Sequence, residues 1–277
     1  MLQAFFIMNN HIRITITFTL PEQADILIAQ LAESGYEGFE EDGNDLHAFI
    51  PEDQFAVQDL ETILSAGVFA YSKKIIAQKN WNEEWEKNFH PVIVESFCAI
   101  RASFHNPVAG VKNEIIITPK MSFGTGHHAT TYLMVQSMEQ LDFAGKIVFD
   151  FGTGTGVLAI LAEKLGAMEI DAIDIDDWSI ENAKENIAAN HCVRIFVEKN
   201  EQIHSTKKYD IVLANINKNT ILSHLAAMRQ QLTNGGVLLL SGLLEADFVE
   251  ISEKAEKTGF SIVGTISREN WICLLLK

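Results

Sequence analysis

The hydrophobic pattern of the chain changes from short alternating stretches to longer apolar runs. The first alternating stretch has the two-residue period of a strand with one buried face. Its apolar positions are Ile12, Ile14, Ile16 and Phe18. Pro21 suits the start of a helix, and Gly35 suits its end. The pattern therefore predicts a strand followed by a helix.

A hairpin is predicted next, because strands over 36–41 and 46–50 flank Asp42-Gly43-Asn44. A helix over 53–65 and a strand over 69–78 follow. The order strand, helix, strand, strand, helix, strand is typical of a ferredoxin-like α+β fold. We assign this unit to residues 1–79. The fold hosts many functions and by itself indicates none.

Residues 80–91 are predicted to form a connecting helix. Trp81, Trp85 and Phe89 recur every four residues, so they would lie on one helical face. Such an aromatic stripe is more typical of packing than of ligand binding.

The remaining residues, 92–277, are predicted to form the larger domain. Short strands are expected over 91–118, and strand and helix alternate regularly from Lys146. Helices are predicted over 156–165, 178–190, 219–232 and 245–258. Strands are predicted over 147–151, 169–175, 193–198, 209–214, 236–241, 260–266 and 271–276. This alternation predicts an α/β fold, with a mostly parallel sheet and helices on both faces. The last two strands have a short link and predict an antiparallel hairpin at one edge.

Composition narrows the class of protein. With 47% hydrophobic and 21% charged residues, the chain can build a core and is not of the disordered type. Its 21 basic and 37 acidic residues give a net charge of −16, which disfavours nucleic acid and would attract a basic protein. The same charge could also serve solubility alone.

Cysteine usage and the absence of a long apolar segment point to the cytoplasm. The three cysteines are far apart and contain no CxxC pair, so neither a disulfide framework nor a metal site is predicted. No segment approaches the ~20 apolar residues that a spanning helix needs. We expect no membrane partner and a monomer.

The glycine-rich stretch Asp150-Phe-Gly-Thr-Gly-Thr-Gly156 is the central candidate site. It follows a buried strand and opens a helix, where glycines let a ligand approach the backbone. The spacing is GxGxG, because Val157 stands where a dinucleotide fingerprint has its third glycine. A phosphate loop would need Gly-Lys-Ser/Thr, which is absent. A tight turn without a ligand is the alternative.

Asp174 is the candidate ribose-binding residue. It ends the second strand of the larger domain, where a carboxylate can accept hydrogen bonds from both hydroxyls of a ribose. Asp176 and Asp177 follow it; the first could be merely solvated, and the second could cap the next helix. We prefer Asp174 to its neighbours.

Two further polar groups are candidates. Asn215 follows the fourth strand, where its amide can both donate and accept, although an asparagine there could simply form a turn. Upstream lies FGTGHHATT, residues 123–131, whose hydroxyls could cap a helix and contact a polar ligand. His127 and His128 are adjacent and would point apart, and no third ligand stands at metal spacing, so zinc is not expected.

These motifs together resemble a known family. FGTGHHATT, then VFDFGTGTGVLAI, AIDID and VLANI closely resemble the ribosomal protein methyltransferase A family, whose members methylate protein eleven of the large ribosomal subunit. The resemblance covers both halves, because the N-terminal ferredoxin-like unit, the aromatic linker WNEEWEKNFHPV and the C-terminal core occur in that order. GxGxG is shared by many methyltransferases, whereas FGTGxHxTT is much more specific. One departure is Asn217-Lys218 after VLANI, where more apolar residues are expected.

The resemblance implies a fold, a cofactor and a substrate. It implies a class I S-adenosylmethionine methyltransferase domain with a Rossmann-like sheet, and an N-terminal substrate-recognition domain. It implies methylation of lysine side chains, or of the N-terminal amine, of a large-subunit ribosomal protein. No side chain stands out as a catalytic base. The cofactor-binding residues that it implies are Thr131, Gly152, Gly154, Asp174 and Asn215.

Two other classes of function remain open at this point. A methyltransferase acting on RNA, a small molecule or another protein would keep the cofactor and change the acceptor. The absence of an Asn-Pro-Pro-Tyr type sequence after the fourth strand argues against adenine or glutamine amide transfer. A non-catalytic cofactor-binding module is the other class, and turnover with labelled cofactor would separate them.

Overall fold

The computed structural model describes residues 10–65, 67, 69–76, 89–119, 126–201 and 206–277. Contacts divide the chain into two units, Met1–Asn88 and Phe89–Lys277. The division falls within the segment predicted as a connecting helix, and most of that segment, with Trp81 and Trp85, lies outside the described residues. Among the described residues, no helix is long and apolar enough to cross a membrane.

In the part of the chain that the structure describes, the N-terminal unit has a four-stranded sheet and two α-helices. Its elements are β1 His11–Thr17, α1 Pro21–Glu33, β2 Gly38–Asp42, β3 Asp45–Pro51, α2 Val57–Leu64 and β4 Ala70–Ile76. The strands lie in the order β2-β3-β1-β4, and all neighbouring pairs are antiparallel. The predicted ferredoxin-like order is confirmed.

The alternation in β1 separates a buried face from an open one. Ile12, Ile14 and Ile16 are at most 2% exposed and pack with leucines of both helices. Arg13 and Thr15 point to the opposite face, where Thr15 Oγ1 lies 2.9 Å from His47 Nδ1. The two-residue period of the sequence therefore corresponds to a strand with one face covered by α1 and α2.

The second helix begins later than predicted. α2 starts at Val57 rather than at 53, because Glu52–Gln54 form a separate 3-10 turn and Phe55 is extended. The turn is tied to the start of the first strand, since Glu52 N donates to Asn10 O at 2.8 Å. Local contacts, and not helical periodicity, determine this corner.

A small three-stranded sheet opens the C-terminal unit. Its strands are β5 Val92–Val94, β6 Cys98–Ala102 and β7 Asn113–Ile117. β6 pairs antiparallel with β5 and parallel with β7. Ile100 and Ile115 are at most 1% exposed and belong to the main hydrophobic core of the unit.

The C-terminal unit is built on a seven-stranded sheet in the order β10-β9-β8-β11-β12-β14-β13. Its strands are β8 Ile147–Phe151, β9 Glu169–Asp174, β10 Ile195–Lys199, β11 Tyr209–Asn215, β12 Leu232–Leu244, β13 Ile262–Arg268 and β14 Trp271–Leu276. Neighbours from β10 to β12 are parallel, and β14 is antiparallel to both of its neighbours. The mostly parallel sheet and the final hairpin are confirmed. The antiparallel strand β14 lies between β12 and β13, and β13 forms the edge of the sheet.

Helices cover both faces of this sheet. They are α3 Ala129–Met138, α4 Val157–Lys164, α5 Asp177–Ala189, α6 Lys218–Gln231 and α7 Phe248–Lys257. Side chains of α3 and α4 belong to one hydrophobic cluster, and those of α6 and α7 to the other. The helix predicted over 245–258 is interrupted, since Glu245–Asp247 form a 3-10 turn before α7.

Central strands such as β11 are buried on both faces. Val212, Leu213 and Ala214 are all 0% exposed, and consecutive residues belong to opposite hydrophobic clusters. A strand that lies between two layers of helices is buried on both faces, and its sequence is therefore a continuous apolar run. Only the strand ends remain for polar groups, and the carboxyl ends of β8, β9 and β11 meet at one side of the sheet.

The strand β10 forms one edge of the seven-stranded sheet. Phe196 on this strand is 60% exposed, and Glu198 and Lys199 are exposed at its end. Charged residues on an edge strand oppose its pairing with another chain.

Candidate active site

The glycine loop joins β8 to α4 through backbone conformations that favour glycine. The φ angle is 77° at Gly152, 54° at Gly154 and 79° at Gly156. The N–H groups of Gly152 and Thr153 both donate to the carbonyl oxygen of Ile173 at 2.9 Å. The loop is thereby fixed to the end of the neighbouring strand β9.

Asp174 lies beside this loop at the end of β9. Its Oδ2 accepts a hydrogen bond from Gly154 N at 2.9 Å, and its Oδ1 accepts one from Asp176 N at 3.1 Å. The structure thus brings together the glycine loop and the carboxylate that the sequence singled out. The carboxylate is partly exposed, so its free lone pairs can accept further hydrogen bonds.

The two aspartates that follow have structural partners. Asp176 is the N-cap of α5, because its side chain accepts a hydrogen bond from Trp178 N at 3.2 Å. Asp177 is the first residue of the helix and pairs with Lys199 at 2.6 Å. The cap suggested for Asp177 is therefore wrong, and Asp176 supplies it.

Asn215 and Thr131 are in contact although 84 positions separate them. Asn215 ends β11, and its Nδ2 donates to Thr131 Oγ1 at 3.3 Å. Thr131 is 2% exposed in the first turn of α3. This hydrogen bond brings the end of the FGTGHHATT motif to the strand end next to the glycine loop.

Ile216 is held closely between two glycines. A Cβ atom on Gly152 would lie 2.4 Å from Ile216 Cγ2, and one on Gly242 would lie 2.0 Å from Ile216 O. Gly242 has a φ of 86° and stands in β12 where the pairing with β14 shifts register. The segment after Asn215 is therefore in direct contact with the glycine loop on one side and with β12 on the other. The sequence analysis missed Gly242, because an isolated glycine in an apolar strand does not indicate which backbone it contacts.

Asp150 is a second residue that the sequence analysis did not assign. It is 0% exposed at the end of β8, and its Oδ2 accepts a hydrogen bond from Thr153 Oγ1 at 2.6 Å. Burial raises the pKa of Asp150 to about 7, although the Thr153 hydrogen bond opposes the shift. The sequence contains one indication of this role, because the acid stands at the start of the glycine-rich stretch.

The two adjacent histidines have different partners. His127 Nε2 lies 2.9 Å from His90 O, whereas His128 is the N-cap of α3 and accepts a hydrogen bond from Thr130 N at 3.3 Å. The His128 ring packs edge-on against Trp271, with ring centroids 4.6 Å apart. Trp271 begins the inserted strand β14, so no local motif could have linked it to the site.

The unexpected Asn217-Lys218 pair has a structural role. Asn217 is the N-cap of α6, and its side chain accepts a hydrogen bond from Thr220 N at 3.0 Å. Lys218 Nζ pairs with Asp247 at 2.9 Å and with Glu250 at 3.0 Å. The pKa of Asp247 is lowered, first by this hydrogen bond from Lys218. These polar residues connect α6 to α7.

The sheet order, the inserted antiparallel strand and the glycine loop beside a strand-end carboxylate define a class I methyltransferase fold. A solved structure with this fold, the ribosomal protein L11 methylase from Lactobacillus delbrueckii subsp. bulgaricus, matches with a TM-score of 0.64 and 29% identity. The match covers 68% of this chain and 98% of that one.

Sequence comparison identifies the family. The family model described as ribosomal protein L11 methyltransferase (PrmA) matches residues 14–277. The ribosomal protein L11 methyltransferase of Porphyromonas gingivalis is 43% identical over 264 residues, which are 92% of this chain and 91% of that protein. The one of Chlorobaculum parvum is 38% identical over 97% of both chains. This chain belongs to the ribosomal protein L11 methyltransferase family.

Proposed function

We propose that this protein transfers methyl groups from S-adenosylmethionine to amino groups of ribosomal protein L11. Lysine side chains are the main acceptors, and the N-terminal amine is a further one. The 3.3 Å hydrogen bond between Asn215 and Thr131 carries this proposal, because it joins the family-specific motif to the strand-end site. Relatives from two bacteria carry the name of the same activity.

The residues at the strand ends fit a nucleoside joined to an amino acid. Asp174 offers the carboxylate that typically binds ribose hydroxyls in this kind of sheet. Gly152 and Gly154 both have positive φ angles, and the absence of a Cβ atom on Gly152 lets the loop pack against Ile216, whose Cγ2 would lie 2.4 Å from such an atom. Thr131 and Asn215 supply a hydroxyl and an amide at the neighbouring strand end. When bound, the cofactor supplies a methyl group activated by a sulfonium charge.

The acceptor must present a lone pair, which a lysine ammonium lacks. The reference pKa of lysine is about 10.4, so the protein must favour the neutral amine near neutral pH. Desolvation lowers the pKa of an amine, and we propose that the acceptor amine is desolvated beside Trp271, which packs against His128. Alignment of reacting groups can supply ~7–11 kcal/mol. We therefore assign no catalytic base.

Substrate recognition is assigned to the N-terminal unit. Among the described residues, α1 and α2 pack against one face of its sheet, and Arg13, Thr15 and His47 lie on the other face. The exposed Glu40 and Glu41 of β2 suit a basic ribosomal protein. The reaction would take place in the cytoplasm, where ribosomal proteins are made.

The test is methyl transfer from labelled S-adenosylmethionine to purified ribosomal protein L11, with the label mapped by mass spectrometry. The wild-type chain should label lysine residues, and Asp174→Ala should not do so at low cofactor concentration. Asp176→Ala is the matched control, because it removes a helix cap and leaves the proposed ribose ligand in place.

Two outcomes would contradict the proposal. Label in RNA or in a small molecule, with none in the ribosomal protein, would change the acceptor class. Tight cofactor binding without transfer to any component of a cell extract would make the chain a binding module.

A further inference from the structure

Three asparagines stand four residues apart along α5 and its C-terminal end: Asn182, Asn186 and Asn190. Residues with this spacing lie on one face of a helix. Asn182 and Asn186 are both 0% exposed. Buried amides on a helix need partners for both their oxygen and their nitrogen.

Their partners are backbone groups at the end of β7. Asn190 accepts from Ile116 N at 3.0 Å and donates to Ile116 O at 2.6 Å. Asn186 accepts from Thr118 N at 2.7 Å, and Asn182 donates to Thr118 O at 3.1 Å. The three side chains thus replace a neighbouring strand along the side of β7 that β6 does not cover.

The spacing of the two elements explains why this arrangement is possible. Four helical residues rise about 6.0 Å along the axis. Two strand residues rise about 6.6 Å, and alternate residues of a strand present their N–H and C=O groups to the same side. Asparagines four positions apart on a helix can therefore match strand residues two positions apart, as Asn190 and Asn186 match Ile116 and Thr118.

Asn186 has one more partner, in the glycine loop. Its Nδ2 donates to the carbonyl oxygen of Thr155 at 2.8 Å, and Thr155 is itself 0% exposed. The same helix face approaches the loop at Ala183, whose Cβ would lie 3.3 Å from a Cβ on Gly156. One buried amide therefore links the loop to β7.

The loop is consequently held from two sides. Asp174 accepts the N–H of Gly154, and Asn186 donates to the carbonyl of Thr155, the next residue. The strand β7 precedes the segment that ends in the Gly126–Thr131 motif, whose Thr131 contacts Asn215. The Asn186 side chain thus connects the glycine loop to the end of β7.

We propose that Asn186 is a positioning residue, which sets the glycine loop at a fixed distance from β7. The proposal rests on the cofactor site described under the proposed function. Asn186 acts through the loop backbone and does not itself touch the cofactor.

The experiment compares Asn186→Ser with the matched control Asn190→Ser in the full chain. Both variants remove amide bonds to β7, but only the first removes the bond to Thr155. The KM for S-adenosylmethionine should rise roughly tenfold or more in Asn186→Ser, because a buried carbonyl loses its donor. It should change less than twofold in Asn190→Ser, and kcat at saturating cofactor should fall less than KM rises.

Amide hydrogen exchange gives a second measurement that needs no cofactor. Amides of residues 152–156 should exchange faster in Asn186→Ser only, whereas β7 should be loosened in both variants. Equal KM in the two variants, or unchanged loop exchange, would overturn the proposal. Loss of the fold in Asn186→Ser alone would do the same, since the residue would then serve stability. If the wild-type chain binds no S-adenosylmethionine, the proposed function fails and the exchange data still decide the role of Asn186.

Discussion

The four-stranded sheet and the seven-stranded sheet of this protein bury their strands differently. In the N-terminal sheet, β1 buries Ile12, Ile14 and Ile16 and leaves Arg13 and Thr15 on an open face. In the seven-stranded sheet, β11 buries consecutive residues on both faces. A sheet with an open face can offer that face to a partner, whereas one with two covered faces can bind only at its strand ends. The difference suggests separate places for substrate recognition and for chemistry.

Removal of the N-terminal unit should have the largest effect. A fragment over 89–277 should fold and bind S-adenosylmethionine but transfer no methyl groups to intact ribosomal protein L11. It should begin at Phe89, because that ring packs against His127 with centroids 4.6 Å apart. Circular dichroism, calorimetry and labelled transfer at equal cofactor occupancy are the measurements. Full transfer by the fragment would contradict the assignment of substrate recognition to the N-terminal unit.

Gly242→Ala should have the next largest effect, since it tests how tightly the strand ends are packed. The new methyl group would meet Ile216 O at 2.0 Å, at a φ of 86°. We expect a loss of roughly 5 kcal/mol in unfolding free energy from strain and overpacking together. Chemical denaturation is the measurement.

Gly235→Ala is the control for that substitution. It has a similar φ of 84° in the same strand, but a Cβ there meets nothing within 4 Å. It should cost only ~1–3 kcal/mol of backbone strain. Equal losses in the two variants would show that the approach of Gly242 to Ile216 is unimportant.

The buried acid of the seven-stranded sheet should make stability depend on pH. Burial raises the pKa of Asp150 from its usual 3.8 to about 7. Between these values the folded state keeps a proton that the unfolded state has lost, so this group makes unfolding free energy fall as pH rises. The fall should level off above about pH 7.

Asp150→Asn should remove this pH dependence, which lowers the unfolding free energy by roughly 4 kcal/mol between the two pKa values. Denaturant unfolding of both proteins at several pH values between about 4 and 8 gives the difference, in which the other titrating groups cancel. Parallel curves for the two proteins would mean that the carboxyl is already ionised throughout this range.

Asp174→Ala should weaken S-adenosylmethionine binding by ~1.5–3 kcal/mol, the value of a hydrogen bond to a charged acceptor. The variant also loses the acceptor for Gly154 N, so loop disorder could contribute. Calorimetry on this variant and on Asp176→Ala separates ribose binding from a general effect of removing an aspartate. An unchanged affinity in Asp174→Ala would move the ribose contact elsewhere.

The smallest effect is expected on the open face of the N-terminal sheet. Thr15→Val keeps the β-branched shape and loses only the 2.9 Å contact with His47. Stability should change by less than ~1.5 kcal/mol, and cofactor affinity should not change. Thermal unfolding and calorimetry check both. A large loss of stability would show that this face is as tightly packed as the strand ends.

Local patterns in the sequence predicted much of this fold. Alternation at Ile12–Ile16, the apolar run of β8 and the glycines after it depend on neighbouring residues, so they could be recognised without a structure. The position of Asp174 at a strand end followed from the same patterns. The insertion of β14 beside β12 did not, because sheet order depends on pairings between distant segments.

The residues missed at the site share that dependence on distant contacts. Gly242 matters through the backbone of Ile216, and Trp271 through the ring of His128. Asn186 resembles an ordinary polar position of an amphipathic helix until β7 is placed against it. The helix cap was predicted wrongly at Asp177, because only the backbone geometry shows which of the adjacent aspartates precedes the first turn of the helix.

The exposed edge strand β10 has a consequence for handling the protein in solution. Phe196 is 60% exposed there, and two charged residues at the end of the strand provide only local protection. At neutral pH the net charge of −16 adds long-range repulsion between molecules. That repulsion vanishes near the isoelectric point of about 4.9. Solubility should therefore pass through a minimum near that pH, and concentrated salt should reproduce part of the loss at neutral pH by screening the charge.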